Sequence, residues 1–286
     1  MTGDSESPAA ERERTQTRAK SNVLRVGVLC DSTVLPAWQA ACLEALATTG
    51  CAELELVVVN GKKTSWSEEV RRVYEYRHHL LLHPYWHRVS RPTAIDTSDW
   101  TERLKAIPQL TCRTTKKGRF SEYFASSDVA AIEGFRLDII IRFGFGIIRG
   151  DILRSSRFGV WSFHHGDESR YRGVMPCFWE LYHREEFIGA ILQRLTDKLD
   201  GGVVLRKALF RRSGMSLGRN VDRVYFGSTR WPAEVCQDIS AGKADYLNGA
   251  PATMLGPIFP LPSNRDTLIF ANKVIGSALI DRLRAR

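Results

Sequence analysis

Runs of apolar residues, each closed by polar or turn-forming positions, begin at Leu24. Residues 24–30 form a short apolar run of the kind that fills a buried parallel strand. A helical pattern follows, with Pro36 at a position that a first helical turn tolerates. The next apolar run, 54–59, ends at an Asn-Gly pair. This strand-helix-strand order predicts the beginning of an open α/β sheet with a right-handed crossover.

The same pattern continues through the second half of the chain. Strands are predicted at 137–141, 160–164, 188–195 and 203–209. Helices are predicted near Ile152, from 216 to beyond 225, and at the C-terminus. The terminal helix is amphipathic, and its apolar face contains Leu268, Ala271, Ile275 and Leu279. Alternating strands and helices favour an α/β fold.

Composition divides the chain into three parts. Residues 1–22 mix four acidic with four basic side chains and contain no apolar run, so we expect a disordered tail. Residues 23–225 are predicted to form one domain, with a polar and aromatic insertion at about 62–90. Residues 226–286 are an extension, in which a proline-rich connector at 250–262 precedes the terminal helix. With 43% apolar residues, the chain can bury one sizeable core.

The net charge of +9 raises the question of nucleic-acid binding. Basic residues are spread along the chain, and their two densest groups, at 113–119 and 206–212, accompany no nucleic-acid-binding motif. We therefore expect no nucleic-acid partner. We interpret these groups as solvated surfaces or as contacts to a small anionic ligand.

Cysteine usage and hydropathy bear on the cellular compartment. Six cysteines are scattered without a Cys-x-x-Cys pair, which is typical of a reducing compartment. No apolar run approaches the roughly 20 residues that a membrane-spanning helix needs. These features predict a cytoplasmic location and no membrane span.

Two further kinds of site are considered and not expected. His79, His83 and His87 are spaced like metal ligands on one helix face, but Pro84 is expected to interrupt that helix, so no metal site is predicted. The turn after the first strand lacks the glycine-rich loop that binds phosphate in dinucleotide-binding proteins. A dinucleotide cofactor is therefore not expected.

The strand predicted around His164 ends in residues that are suited to acid-base chemistry. Because side chains alternate along a strand, Ser162 and His164 face one side, whereas Phe163 and His165 face the other. Ligands of open α/β sheets bind beyond the carboxyl ends of the strands, where His164 is expected. Asp200 precedes two glycines that permit close approach, so its carboxylate is suited to hold and polarise the imidazole.

The residues alone leave a second interpretation open. His164 and His165 also fit a strand end whose polar groups are simply hydrogen-bonded, and Asp200-Gly201-Gly202 also fits a plain hairpin turn. Spacing does not separate the two interpretations.

Three separated motifs resemble the folate-dependent formyltransferase family, which includes the glycinamide ribonucleotide, methionyl-tRNA and sugar-amine formyltransferases. The family has an Asn-x-His strand, then Tyr/Trp-Arg-Gly-x-x-Pro, then Leu-Asp-x-Gly. In the same order this chain has Ser162-Phe163-His164, Tyr171-Arg172-Gly173-Val174-Met175-Pro176 and Leu199-Asp200-Gly201-Gly202. The resemblance extends over roughly residues 24–225.

This resemblance implies a Rossmann-like α/β domain with a mostly parallel central sheet flanked by helices. It implies that 10-formyltetrahydrofolate donates a formyl group to an amine of a small acceptor, with His164, Asp200 and Ser162 as catalytic residues. The folate would be bound by Phe145, Gly146, Ile147, Ile148, Thr196, Asp197 and Leu199. The acceptor would be bound by His165, Asp167, Arg172 and Gly173.

Two departures from the family pattern bear on the chemistry. Ser162 stands where the family has asparagine, and a hydroxyl has a shorter reach and a single donor for a developing oxyanion. The sequence Ser-Phe-His-His-Gly-Asp at 162–167 resembles a bacterial branch found near glycan-assembly functions, which favours an amino sugar as acceptor. Two alternatives stay open. One is a different acyl transfer or hydrolysis of the formyl-folate, and the other is a catalytically silent ligand-binding module. The oligomeric state stays open as well.

Overall fold

The computed structural model describes residues 23–62, 76–118, 120–198 and 201–284. Seven strands form its central sheet: β1 (Leu24–Cys30), β2 (Ala52–Asn60), β3 (Gln109–Cys112), β4 (Ile139–Arg142), β5 (Val160–His164), β6 (Phe187–Arg194) and β7 (Val203–Arg211). Their order across the sheet is β7-β6-β5-β4-β1-β2-β3.

Most of this sheet is parallel. Strand β1 pairs in parallel with β2 and β4, β2 with β3, and β4 with β5. Strands β6 and β7 extend the sheet beyond β5 as an antiparallel pair. All six strands predicted from the apolar pattern are present, and β3 was not predicted. The predicted α/β fold with a mostly parallel sheet is confirmed.

Helices flank the sheet. They are α1 (Ala37–Ala47), α2 (Ser126–Glu133), α3 (Phe178–Tyr182), α4 (Leu217–Ser228), α5 (Trp231–Ser240) and α6 (Asn264–Arg284). Shorter helical turns lie at Tyr76–His79, Leu82–Pro84, Tyr85–Ser90, Thr93–Ile95, Thr101–Leu104, Asp151–Arg154 and Asp245–Asn248.

Two apolar cores lie on the two faces of the sheet, because successive residues of a buried strand point to opposite sides. In β4, Ile139 and Ile141 pack into one core and Ile140 into the other. The larger core includes residues of α1, α4 and α5, whereas the smaller includes Val129 and Ile132 of α2. Coverage on both faces explains why the central strands are almost purely apolar.

Three small sheets lie beside the central one, and the apolar pattern predicted none of them. The paired segments are Val34–Pro36 with Thr97–Asp99, Thr115–Lys117 with Ser121–Tyr123, Ser121–Tyr123 with Ile147–Arg149, and Arg172–Gly173 with Ile258–Phe259. These strands contain two or three residues each, too few for an alternation to be recognised.

Two details of the helical pattern differ from expectation. The helix predicted near Ile152 is a single 3-10 turn, Asp151–Arg154. In the insertion, the break falls between Tyr76–His79 and Leu82–Pro84 rather than at Pro84. Pro84 is accommodated because it lies in the first turn of its helical segment, where a backbone N–H has no helical acceptor.

The connector at 250–262 brings the C-terminal part of the chain back to the loop that follows β5. Its strand Ile258–Phe259 pairs with Arg172–Gly173. This contact requires a glycine, since a Cβ on Gly173 would lie 2.2 Å from the carbonyl oxygen of Phe259. Gly173 also has φ +113°, which side chains rarely adopt. The extended conformation expected for the connector is confirmed.

The domain boundaries proposed from the sequence stay predictions. The division between 225 and 226 falls within α4. The predicted tail, 1–22, and residues 63–75 of the predicted insertion lie outside the described residues.

The terminal helix α6 turns its predicted apolar face outward. Leu268, Ile275 and Leu279 are each more than half exposed, at 55%, 59% and 54%. Phe270 holds the helix instead, because its fully buried ring lies 4.7 Å from that of Phe178. Among the described helices, none combines the length and apolar character needed to cross a membrane.

Candidate active site

A cavity of about 690 Å³ lies at the carboxyl ends of β4 and β5. Its floor includes Arg142 of β4, Ser162 and His164 of β5, and Gln193 of β6. Its walls come from the segment 147–149, the loop after β6 and the connector. This position agrees with the general rule that open α/β sheets bind ligands beyond the carboxyl ends of their strands.

Three polar side chains form a row across the floor of the cavity. Ser162 lies opposite Arg142 on one neighbouring strand and opposite Gln193 on the other. Residues directly opposite on adjacent strands share a face, with Cβ atoms about 5 Å apart. His164 is two residues further along β5 and therefore on the same face. The sheet register thus brings an imidazole next to this polar row (Arg142, Ser162 and Gln193).

The hydrogen bond of His164 fixes which ring nitrogen carries a proton. Its Nε2 lies 3.1 Å from the carbonyl oxygen of Tyr171. A carbonyl oxygen only accepts, so Nε2 donates, and Nδ1 is the basic nitrogen of the neutral ring. Gly166 permits this contact, because a Cβ there would lie 2.9 Å from His164 Nε2 and 2.8 Å from the Tyr171 oxygen.

Ser162 is 2% exposed and hydrogen-bonded within the protein. Its Oγ accepts from Arg142 Nε at 3.2 Å and donates to the carbonyl oxygen of Phe163 at 3.4 Å. Arg142 Nη1 donates to the carbonyl oxygens of Phe145 and Gly146, at 3.1 and 2.6 Å. One guanidinium therefore holds both the predicted catalytic serine and the turn that follows β4.

Three of the residues predicted to bind the folate line the cavity, namely Ile147, Ile148 and Thr196. Phe145 and Gly146 are not among the lining residues, and their backbone N–H groups donate to the carboxylates of Asp31 and Glu122. These two residues fix the shape of the turn that presents Ile147 and Ile148.

The loop after β6 contains the remaining predicted folate residues. Asp197 is exposed, and its carboxylate lies 3.7 Å from the guanidinium of Arg154. Leu199 and the predicted catalytic Asp200 lie outside the described residues. Their roles stay predictions.

Two of the four residues predicted to bind the acceptor, Asp167 and Arg172, have side chains that bond to neighbouring loops and strands. The carboxylate of Asp167 accepts from Lys207 Nζ at 2.8 Å and from the Ser169 hydroxyl at 2.6 Å. Partial burial raises the pKa of Asp167, but these hydrogen bonds outweigh burial and lower it overall. Arg172 Nη1 donates to the carbonyl oxygen of Gly256 at 3.1 Å. Both side chains hold loops, and neither lines the cavity.

The other two residues predicted to bind the acceptor, Gly173 and His165, lie on different sides of the sheet or loop. Gly173 lines the cavity. His165 faces the opposite side of the sheet from His164, as the strand alternation predicts, and its ring stacks on Tyr225 at 3.8 Å between centroids. Burial, and secondarily the neighbouring His164, lower the pKa of His165 to about 3. His165 is thus a neutral ring within an aromatic cluster, and the geometry gives its predicted role in acceptor binding no support.

Three parts of the site were not predicted from the sequence, namely Arg142, Gln193 and the connector. Gln193 is 4% exposed, and with Arg194 it follows an apolar run within the strand Phe187–Arg194. Arg142 likewise follows three isoleucines. A polar residue at the carboxyl end of a buried strand was the available signal, since such a side chain needs a partner or a ligand.

The charged side chains that line the cavity are cationic. Arg142, Arg149 and Lys198 contribute to it, and among the described lining residues no carboxylate is present. The field in the cavity therefore favours an anionic ligand.

The three histidines considered as metal ligands have other contacts. His79 Nδ1 donates to the carbonyl oxygen of Pro262 at 2.8 Å, and the rings of His83 and His87 lie 4.4 Å apart. Within the described ranges, no group of three or more His, Cys, Asp or Glu side chains is arranged to hold a metal ion.

Part of the chain matches curated methionyl-tRNA formyltransferases. The identity is 27% over 123 residues with that of Agathobacter rectalis and 30% over 122 residues with that of Phenylobacterium zucineum. The chain is a relative of the folate-dependent formyltransferases. A shorter match, 36% over 69 residues, is to the bifunctional polymyxin resistance protein ArnA of Wigglesworthia glossinidia brevipalpis, covering 24% of this chain and 11% of that protein.

The sequence similarity to these formyltransferases covers only part of the chain. The two methionyl-tRNA formyltransferase matches cover 42% and 41% of this chain, and the chain spans about 40% of the length of each. No family model matches the chain.

Solved structures of related fold include glycinamide ribonucleotide transformylase 1 from Symbiobacterium toebii, with a TM-score of 0.46 and 14% identity, covering 78% of this chain and 90% of that one. A formyltetrahydrofolate deformylase from Pseudomonas syringae pv. tomato has a TM-score of 0.47 and 15% identity, covering 85% of this chain and 71% of that one.

Proposed function

We propose that this formyltransferase relative transfers the formyl group of 10-formyltetrahydrofolate to the amine of a small acceptor. The observation that carries the proposal is the orientation of His164, which presents Nδ1 as its basic nitrogen at the floor of a cavity. The matches to curated formyltransferases supply the reaction class.

The chemistry of the cavity suits a formyl-folate. Ile147, Ile148 and Leu195 offer apolar contact to a flat pterin ring. Arg149 and Lys198 offer positive charge to the carboxylates of the folate glutamate. At about 690 Å³, the cavity is within the usual range for a site that takes a small molecule.

The proposed reaction is a proton-coupled acyl transfer. The acceptor nitrogen bonds to the formyl carbon while His164 takes a proton from that nitrogen through Nδ1. The bond between the formyl carbon and N10 of the folate then breaks, and His164 returns the proton to N10. Asp200 is proposed to orient His164 or to relay the proton of the amine, as the family resemblance implies.

For the acceptor, we propose an amino sugar. The support is the resemblance of the sequence at 162–167 to a branch found near glycan-assembly functions. Tyr76 and the connector line the cavity as well, and aromatic and apolar edges of this kind suit the face of a sugar ring.

The test is turnover by the purified full-length chain with 10-formyltetrahydrofolate and a panel of free and nucleotide-linked amino sugars. Release of tetrahydrofolate, with a mass gain of one formyl group on the sugar, is expected. His164→Ala should lower kcat by about 10²–10⁴-fold, as for loss of a general base. His87→Ala is the matched control, because His87 is exposed and does not line the cavity.

Three other outcomes would each contradict part of the proposal. Formate appearing without any amine would favour hydrolysis of the formyl-folate. If folate neither binds nor turns over, the protein is a non-catalytic module and the proposal is wrong. Wild-type activity in His164→Ala would remove the role proposed for His164.

A further inference from the structure

Formyl transfer needs a hydrogen-bond donor for the carbonyl oxygen, which gains negative charge as the amine adds. His164 is committed to the proton of the amine through Nδ1, and its Nε2 donates to Tyr171. Ser162 stands where the family has asparagine, but its hydroxyl accepts from Arg142 and points to the Phe163 carbonyl. The donor must therefore come from a neighbour of Ser162.

Gln193 is that neighbour. It is paired with Ser162 across β5 and β6, so both side chains lie on the cavity face of the sheet. Its Oε1 accepts from the backbone N–H of Gly202 at 3.2 Å. An N–H only donates, so this bond fixes which amide atom is oxygen and directs Nε2 away from Gly202.

The amide nitrogen of Gln193 is a donor that borders the cavity and has no hydrogen-bond partner among the described residues. The residue is 4% exposed, and its hydrogen bond among the described residues is the one that Oε1 accepts from Gly202. An amide donor that is unpaired within the protein and borders a cavity is available to an acceptor atom of a bound ligand. Arg142, on the other side of Ser162, adds positive charge to the same row.

We propose that Gln193 Nε2 donates to the formyl oxygen in the transition state, and so supplies the amide that the family places at the position of Ser162. This rests on the proposed function and assigns a catalytic residue to it. Ser162 then acts as a positioning residue, because its Oγ accepts a hydrogen bond from Arg142 Nε and so holds that guanidinium in the polar row.

The step balances without any further reactant. As the amine nitrogen bonds to the formyl carbon, the π pair of the carbonyl moves to its oxygen and is stabilised by Gln193 and Arg142. When that pair re-forms the carbonyl, the bond from the formyl carbon to N10 breaks, and N10 leaves with the proton that His164 took from the amine.

The substitution Gln193→Glu separates this role from a structural one. A glutamate keeps an oxygen that accepts from Gly202 N–H, but it replaces the donor with a second carboxylate oxygen. We expect kcat to fall by about 10²–10³-fold, as for loss of one oxyanion donor, with the Kd of 5-formyltetrahydrofolate changed by less than about 3-fold. Calorimetry gives the Kd, and thermal unfolding reports whether the fold is intact.

A rescue variant tests where the missing amide acts. Gln193→Glu combined with Ser162→Asn restores a side-chain amide one strand away, and we expect it to regain at least about tenfold in kcat over Gln193→Glu alone. If Gln193→Glu unfolds at a lower temperature, Gln193→Met removes the donor without adding a charge, and its thermal unfolding measures the cost of also losing the acceptor of the Gly202 N–H.

Gln109→Glu is the matched control, because Gln109 is exposed on β3 and donates to the carbonyl oxygen of Leu104, away from the cavity. It should retain the wild-type kcat. Wild-type turnover that persists in both Gln193 variants would overturn this inference while leaving the proposed function intact. An inactive wild type would overturn the proposed function, and this inference with it.

Discussion

A single glycine sets the position of the proposed general base. Gly166 lies where any side chain would meet both the imidazole of His164 and the carbonyl oxygen that holds it. The hydrogen bond between them selects the tautomer of His164. The choice of reactive nitrogen is therefore made by a residue that takes no part in the chemistry.

The substitution Gly166→Ala should displace His164 without removing it. The added Cβ would lie 2.9 Å from Nε2 and 2.8 Å from the Tyr171 oxygen, both too close for a carbon atom. We expect kcat to fall by about 10²-fold, because a misplacement near 1 Å costs that much, while the Kd of 5-formyltetrahydrofolate changes little. Steady-state kinetics and calorimetry measure the two quantities.

Gly276→Ala is a suitable comparison, since a Cβ there meets no atom within 4 Å and α6 should tolerate it. Equal kcat values for the two alanine variants would contradict the positioning role of Gly166.

At the scale of elements, the connector is the part of the site that departs most from a simple α/β sheet. Its strand Ile258–Phe259 pairs beside the cavity, and the ring of Phe259 lies 5.0 Å from that of Tyr171. Ile258 lines the cavity and is 58% exposed, so its side chain is available to a ligand.

We expect Ile258→Ala to lower kcat/KM for the amine by roughly 5–30-fold, since a truncated branched side chain loses about 1–2 kcal/mol of apolar contact with a ligand. Met254→Ala is the control from the same connector, because Met254 is 81% exposed and does not line the cavity. Measuring initial rates over a range of amine concentrations compares the two. Indistinguishable values would mean that the connector does not contact the acceptor.

Much of the fold was predictable because the central strands are apolar on both faces. Strand β3 was missed because only Cys112 of its four residues is buried. His164 and Ser162 were predictable as neighbours from alternation along one strand. Arg142 and Gln193 were not, because a residue's opposite partner depends on the register between strands, which the sequence of a single strand does not contain.

For the molecule as a whole, one half-buried imidazole ties stability to pH. The folded protein keeps His165 neutral, with a pKa near 3, whereas the unfolded chain has the ordinary value of 6.5. Below pH 6.5 the unfolded state binds a proton that the folded state does not. The contribution of the neutral His165 to the free energy of unfolding is therefore fully present above pH 6.5. It is lost as pH falls from 6.5 toward 3.

The expected slope from this group is about 1.4 kcal/mol of unfolding free energy per pH unit within that window. Urea unfolding at several pH values, compared between wild type and His165→Phe, isolates it. The phenyl ring of His165→Phe still packs against Tyr225 but does not titrate. The free energy of unfolding of this variant should therefore fall less steeply below pH 6.5. Parallel curves for the two proteins would mean that His165 is protonated in the fold.

The two sides of the cavity are also synthesised at different times. His79 donates to the carbonyl oxygen of Pro262 across 183 residues of sequence. At about 5–20 residues per second, roughly 10–40 s of synthesis separate the two partners. A nascent chain can pair β1 through β5 during that interval, but the connector that closes the cavity does not yet exist. A ligand that needs both sides of the cavity can therefore bind only after the connector has been synthesised.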